Sequence, residues 1–388
     1  MYVYSAALLR QRYRDLDEAF GEYPHAIHYA FKANSTRALV SELRALGASV
    51  DAVSIWEVEL ARSVGFDARR IVFDGVGKSD AELEAAVALG LKAINVESHG
   101  ELSRVEAIAA RTGCVARVAI RVNPDIDAGS HPHISTGLKI NKFGIPSDEA
   151  RALLGTLTSR PALQLVALHV HVGSQITSLA PLRSAAASLA GLVRDARDAG
   201  IALEYADAGG GLGISYDGGP VPSFRDYAAA LVDELRGTEL PIVVEPGRSI
   251  IGPAGVLVAR VLDLKPRTSS SDFAIINAGM SELMRPALYG AFHQIEPVIV
   301  HSVREGGLKQ YELVGPVCES GDVVGRDRML PALAVGDLVA IRDAGGYGSV
   351  MASNYNRRPL PAEVLVDNGT WRTIRRRQTL ADMMALET

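Results

Sequence analysis

A chain of 388 residues, 48% apolar and 22% charged, has the composition of a globular protein and the length for one large barrel plus a second domain. Its net charge of −5 provides no basic footprint for nucleic acid, and no apolar run approaches the length that spans a bilayer. The opening MYVYSAALLRQRYRD lacks the basic start, apolar stretch and cleavage site of a signal peptide, so a cytoplasmic location with reduced thiols is expected.

From about residue 27 short β-rich runs alternate with helical stretches. The runs are IHYAF (27–31), SVDAVS (49–54), IVFDG (71–75), AINVE (93–97), ARVAIRV (116–122), LVALHVHV (165–172), EYADAGG (204–210) and PIVVEPG (241–247). Between them lie segments such as TRALVSELRALG, DAELEAAVALG and LRSAAASLAGLVRDARDAG. Their apolar residues recur at three- and four-residue steps, and most end at a glycine, as helices commonly do. Eight such strands predict a (β/α)8 TIM-like barrel over 9–250. An open doubly wound sheet is disfavoured because GGGLGIS (209–215) lacks the third glycine of a dinucleotide fingerprint. Residues 123–145 form a loop too long for a plain connection, and its Gly and Asn turns suggest order. After residue 250 the texture becomes all-β: GVLVARVLDLK, FAIINAG, PVIVHSV, YELVGPV, LVAIRDAG and AEVLVDNG, separated by turns, with PRTSSSDF as an exposed loop. The fold class is therefore α/β plus all-β, with a β-sandwich or β-barrel domain over 251–388 joined by an N-terminal strand at 1–8.

In such a barrel the chemistry sits at the C-terminal ends of the strands. The first strand ends in FKAN, placing Lys32 at the rim; the second carries Asp51 and Ser54. The sixth ends in HVGSQ, with His171 and Ser174; the seventh in Gly209, Gly210 and Gly211; the eighth in EPGR, with Glu245, Gly247 and Arg248. Glycines after the seventh strand and Gly-Arg after the eighth are where these barrels hold phosphate. Phosphate plus a rim lysine suggests pyridoxal 5'-phosphate, whose aldehyde forms a Schiff base with a lysine. Glu245 is placed to keep the ring nitrogen protonated, and His171 to lie on the ring. His169, two residues earlier, reads as barrel packing.

Each feature alone has a plainer reading: a solvated lysine, a tight turn, a salt-bridged corner. Four at one rim favour a site. GVGKS (75–79) is rejected as a phosphate loop because Val72 stands where the first glycine belongs. No metal is expected: His131 and His133 have no partner at ligand spacing, so a loop role is preferred. Cys114 and Cys318 lie far apart, which argues against a disulfide, and their neighbourhoods lack zinc ligands. Cys114 reads as a small buried apolar residue.

These residues, together with YAFKAN, NVES, RVNPDIDAGSHPHISTGLKINKFGI, HVHVGSQI, GGGLGISY, EPGRSI, MSELMRPALYGAFH, GPVCESGD and AGGYGSVMASNYNRRP, resemble the diaminopimelate decarboxylases. These are pyridoxal phosphate enzymes related to alanine racemase, and the likeness covers nearly the whole chain. It implies that Lys32 carries the cofactor, that His171 stacks on its ring, and that Ser174 and Gly209–Gly211 hold its phosphate. Asp51, Gly247 and Tyr347 join the cofactor site, and Glu245 pairs with the ring nitrogen. Arg248, Arg285, Tyr289, Glu319 and Tyr347 are implied to contact substrate. Cys318 is implied to be the proton donor, and Cys318 and Glu319 to serve the site of the partner in a homodimer. One departure is SIWEV (54–58), where many relatives have a glycine-rich turn; bulky Trp56 puts the local shape of that rim in question.

The implied reaction is decarboxylation of meso-2,6-diaminopimelate to L-lysine and CO2. A substrate with a distal amino-acid group needs cations for a second carboxylate, which Arg285 and Arg248 supply, and an acceptor for its ammonium, which Glu319 supplies. An unperturbed thiol, with pKa near 8.5, is mostly protonated at neutral pH and suits Cys318 as an acid. The alternatives are decarboxylation of carboxynorspermidine, ornithine, lysine or arginine, or a non-catalytic cofactor-binding homologue; a racemase would have no use for CESGD and the arginines.

Overall fold

A computed structural model describes residues 1–127, 136–137, 141–268, 271–299 and 307–388. The strands among them run, in chain order, β1 (Tyr2–Ser5), β2 (His25–Ala30), β3 (Ser49–Ala52), β4 (Ile71–Phe73), β5 (Ala93–Val96), β6 (Ala116–Asn123), β7 (Ile145–Pro146), β8 (Leu163–Val170) and β9 (Tyr205–Asp207). They continue with β10 (Ile242–Val244), β11 (Gly255–Lys265), β12 (Asp272–Ile276), β13 (Ile295–Pro297), β14 (Leu308–Val314), β15 (Val323–Pro331), β16 (Leu338–Ile341), β17 (Glu363–Asp367) and β18 (Thr370–Arg375).

The chain divides into two compact units. One comprises Arg10–Ile214 and Pro220–Ser249; the other Met1–Leu9, Ser215–Gly219 and Ile250–Thr388. In the first, parallel pairing runs β5-β4-β3-β2-β10-β9-β8-β6, and a β5–β6 pairing closes the ring. This is the eight-stranded barrel. β7 is a two-residue addition beside β6. The strands are buried on both faces, so they read as near-continuous apolar runs. Val72, Ala93, Ala119, Val166, Ala167, Tyr205 and Val243 form one core cluster.

The helices follow their sequence signals. Arg37–Ala45, Asp80–Leu89 and Leu179–Asp198 occupy the three amphipathic segments. Ser79 and Glu82 make a capping box, while Gly65, Gly90 and Gly113 end their helices in the left-handed region that a Cβ disfavours. Ser54, read from sequence as a rim residue, caps the helix Ile55–Val64 by accepting from the Glu57 amide. Trp56 in that first turn is 74% exposed, so its bulk is turned away from the barrel interior. Cys114 is exposed, not buried: it follows the Gly113 cap, and its amide closes the turn on Ala109 O.

The second unit is a mixed sheet ordered β15-β14-β12-β11-β1-β17-β18, with β16 pairing β11 and β13. The N-terminal strand β1 lies between β11, antiparallel, and β17, parallel. Its Tyr2 and Tyr4 are fully buried. The loop expected at 266–273 is anchored at its described end, where Arg267 lies 4.0 Å over the Phe273 ring and Ser271 is buried. Among the described residues no helix is long and apolar enough to cross a membrane.

Candidate active site

Lys32 sits in a single 3-10 turn, Phe31–Ala33, that caps β2. Its ammonium donates to Asp51 Oδ2 at 2.7 Å, and Asp51 is fully buried on β3. Burial raises the Asp51 carboxyl well above its ordinary range, opposed by the Lys32 charge. The lysine turn is held by the end of β10. Ala30 N donates to Pro246 O, and a Cβ on Gly247 would lie 2.8 Å from Ala33 Cβ. Glycine at 247 is thus a packing requirement of the lysine turn.

The glycine turn after β9 is equally tight. A Cβ on Gly210 would meet Glu245 O at 2.2 Å, and one on Gly211 would meet Gly173 O at 2.5 Å. Gly209 and Gly211 also have positive φ. The bare backbone lets three strand ends converge. Gly210 N donates to His171 Nδ1 at 3.0 Å, which fixes that nitrogen as an acceptor and the ring as neutral. Burial, followed by the charges of Lys32, Arg121 and His169, pushes His171 well below its usual pKa. Arg248 donates to Ser174 Oγ at 2.9 Å, joining two residues expected at the phosphate.

Glu245 is buried, and His169 is its partner. His169 Nε2 lies 3.2 Å from Glu245 Oε2, and Nδ1 lies 4.0 Å from Asp74 Oδ1. This corrects the expectation of plain packing: His169 is fully buried but charged. Burial lowers its pKa, yet Glu245, then Asp207 and Asp74, outweigh that and raise it to about 9. Burial and then Glu245 push Asp207 up to about 7. Asp74 is driven well below the carboxylate range, because Arg121, His169, Lys32 and Lys78 overcome its burial. Arg121 lies 3.4 Å from Asp74 and 2.7 Å from Glu97. Asp74, His169 and Glu245 bring potential ligand atoms within 4.8 Å of one another. With Arg121 also on Asp74, they read as an ion-pair chain. Lys78 of the rejected GVGKS loop is buried against Glu101 at 2.7 Å, a structural role.

The remaining expected residues lie in the other unit. Arg285 is buried at the start of the short helix Arg285–Tyr289 and meets His293 Nε2 at 2.7 Å. His293 Nδ1 lies 2.7 Å from Arg342 O, so that nitrogen donates and Nε2 accepts. The guanidinium also lies 4.5 Å over the Tyr216 ring. Arg285 is a held cation, not a surface salt bridge. Tyr289 ends the helix, and Tyr347 adopts a left-handed backbone, φ 56°, unusual for a bulky residue and concentrated at functional sites. Cys318 and Glu319 are exposed between β14 and β15; Asn356 donates to Cys318 Sγ at 3.1 Å, and Tyr355 to Glu319. Asp322 shapes this loop by accepting from Met280 N at 2.6 Å and Val317 N at 2.7 Å. Both cysteines are free thiols. His131 and His133 lie outside the described residues.

Sequence reading missed Asp74, Arg121, Asp207, His293 and Asp322. The first three carried a signal: charged residues within or ending otherwise apolar barrel strands, which burial permits only when they are paired.

The donor set fits pyridoxal 5'-phosphate. Glu245 Oε1 is a buried carboxylate oxygen with no hydrogen-bond partner among the described residues, as a protonated ring nitrogen requires. Lys32 would supply the amine, and Ser174, Arg248 and the glycine turn would supply phosphate donors.

Residues 6–252 match the family described as pyridoxal-dependent decarboxylase, pyridoxal binding domain. Over its full length the chain is 44% identical to a diaminopimelate decarboxylase of Vibrio cholerae, covering 92% of it, and 45% identical to one of Pseudomonas aeruginosa, also covering 92%. The crystal structure of diaminopimelate decarboxylase from Helicobacter pylori complexed with L-lysine superposes with a TM-score of 0.96 at 40% identity, covering all of this chain and 96% of that one. With the barrel, the lysine turn and the buried Glu245 described, the chain belongs to the diaminopimelate decarboxylase family of pyridoxal-dependent enzymes.

Proposed function

We propose that the chain decarboxylates meso-2,6-diaminopimelate to L-lysine and CO2, the last step of lysine biosynthesis. The observation that carries the reading is the held cation Arg285, in a chain whose barrel rim gathers Lys32, His171 and Glu245. A distal ammonium alone, as in ornithine, would call for acids; a distal amino-acid group needs such a guanidinium as well.

When bound, pyridoxal 5'-phosphate supplies the electron sink for the pair left by departing CO2. Lys32 Nζ provides the amine that carries the cofactor, and Asp51 holds that ammonium in place beforehand. Glu245 Oε1, without a partner among the described residues, would accept from the protonated ring nitrogen. Neutral His171, fixed by Gly210 N, offers a flat apolar face without adding charge. Ser174, Arg248, Gly209, Gly210 and Gly211 bind the phosphate, and Arg248, Arg285, Tyr289 and Tyr347 the substrate. The Cys318 thiol returns a proton to Cα, and Glu319 accepts from the distal ammonium.

The domains expected over 9–250 and 251–388, the latter joined by strand 1–8, are proposed to serve as a catalytic domain and a β-domain. Exposed Cys318 and Glu319 suit service to the neighbouring subunit of a cytoplasmic homodimer. Product analysis with meso-diaminopimelate and cofactor tests the reaction. L-lysine and CO2 are expected; faster CO2 release from ornithine, lysine, arginine or carboxynorspermidine would replace it. Mixing inactive Lys32→Ala and Cys318→Ala chains tests the shared site: a dimer that exchanges subunits recovers about a quarter of wild-type turnover. No recovery after demonstrated exchange would place both residues in one chain's site.

A further inference from the structure

The barrel interior below the rim holds a line of buried charges of which the reaction above uses only the first. It starts at Glu245, passes through His169 and Asp74 to Arg121, and ends at Glu97, which accepts from Gly144 N at 2.8 Å. Each member except Glu97 has no more than 4% of its surface exposed, and Glu97 has 6%. Uncompensated charges cannot persist at such depth, so each must be held by the next.

Glu245 is the only one of these groups assigned to the cofactor. A glutamate side chain has three rotatable bonds, so one oxygen can face the ring nitrogen only if something fixes the other. His169 is what meets that second oxygen, Oε2, at 3.2 Å, while Oε1 has no partner among the described residues. On the far side of the His169 ring Asp74 Oδ1 lies 4.0 Å from Nδ1, an electrostatic contact beyond hydrogen-bond reach, and Arg121 lies 3.4 Å from the other oxygen of Asp74. Three acids face the imidazole: Glu245 on β10's end, Asp207 on β9 and Asp74 after β4. Against burial, they keep it protonated, so Nε2 donates. Packing alone would not require an imidazole between two carboxylates.

We propose that His169 is a positioning residue for the cofactor: by holding Oε2 of Glu245 it commits Oε1 to the pyridine nitrogen. The inference rests on the reading that Glu245 meets that nitrogen. The effect is confined to one atom of the ligand, which makes it separable from general destabilisation.

The test compares affinities of the full chain, freed of cofactor by dialysis, for pyridoxal 5'-phosphate and for its 1-deaza analogue, in which CH replaces the ring nitrogen. Binding is followed by fluorescence, and thermal unfolding verifies that each variant is folded. A charge-assisted hydrogen bond to the nitrogen gives the wild type about a tenfold to hundredfold preference for the natural cofactor. Glu245→Ala abolishes it. His169→Leu and His169→Asn reduce the preference to about threefold or less, because neither can reach Oε2 with a donor. His169→Gln, whose amide nitrogen lies near the place of Nε2, retains most of it. Should His169→Leu fail to fold, the Asn and Gln pair carries the comparison. Equal weakening of both ligands in His169→Asn, with the preference intact, overturns the inference and leaves His169 a structural residue. A wild type with no preference, or a Glu245→Ala chain that keeps it, overturns the Glu245 reading itself and the inference with it.

Discussion

Asp322 is the test of how the CESGD loop is presented. Its two oxygens are divided between Met280 N, 2.6 Å from Oδ1, and Val317 N, 2.7 Å from Oδ2. Its own backbone closes the loop through Asp322 N to Glu319 O and Gly315 N to Asp322 O. The carboxylate fits only because its neighbours lack side chains: a Cβ on Gly279 or Gly315 would lie 2.4 or 2.3 Å from its oxygens. Hydrogen bonds to a charged group contribute about 1.5–3 kcal/mol each, so Asp322→Ala should cost about 3–6 kcal/mol of local stability. Asp322→Asn keeps one acceptor and should cost about half of that. The loss is local, so it should appear as faster amide exchange in peptides covering 278–284 and 315–322. At about 1.4 kcal/mol per tenfold, the Ala variant should exchange there roughly a hundredfold faster or more. Turnover should fall with it, while affinity for pyridoxal 5'-phosphate should hold, because Asp322 touches none of the barrel residues assigned to the cofactor. Unchanged exchange and unchanged turnover in Asp322→Ala would refute the loop argument; a lost cofactor affinity would refute its separateness.

Three further outcomes follow from the site. Lys32→Ala should remove both turnover and the visible absorbance of lysine-linked cofactor; retained absorbance would take Lys32 out of its role. Cys318→Ala should keep that absorbance and lose about a hundredfold or more of turnover, and normal turnover would place the proton donor elsewhere. His169 contributes stability that is fully present below its unfolded pKa of 6.5 and is lost as pH rises through about 9. The wild-type unfolding midpoint should therefore fall more between pH 6.5 and about 9 than that of His169→Gln, and parallel curves would show that His169 does not titrate there.

The sequence by itself determined the barrel. Eight apolar runs between helical segments of 3.6 period leave few alternatives, and every run fell on a strand. It also located the rim residues, because side chains at strand ends in such a barrel share one face. Lys32, Asp51, His171, Ser174 and Glu245 needed only that rule and a resemblance. Ser54, after the second barrel strand, turned out to cap the next helix, and Cys114, read as buried, follows a helix stop onto the surface. Only the tertiary structure revealed that His169 is a charged link and not filler. Its partners, Asp74 and Glu245, are 95 and 76 residues away in sequence, and the pKa of a buried group is set by such neighbours. The hold of His293 and Tyr216 on Arg285, and of Asp322 on the cysteine loop, was hidden for the same reason. Periodicity reports which face of an element is buried; it carries no information about which distant polar group waits there.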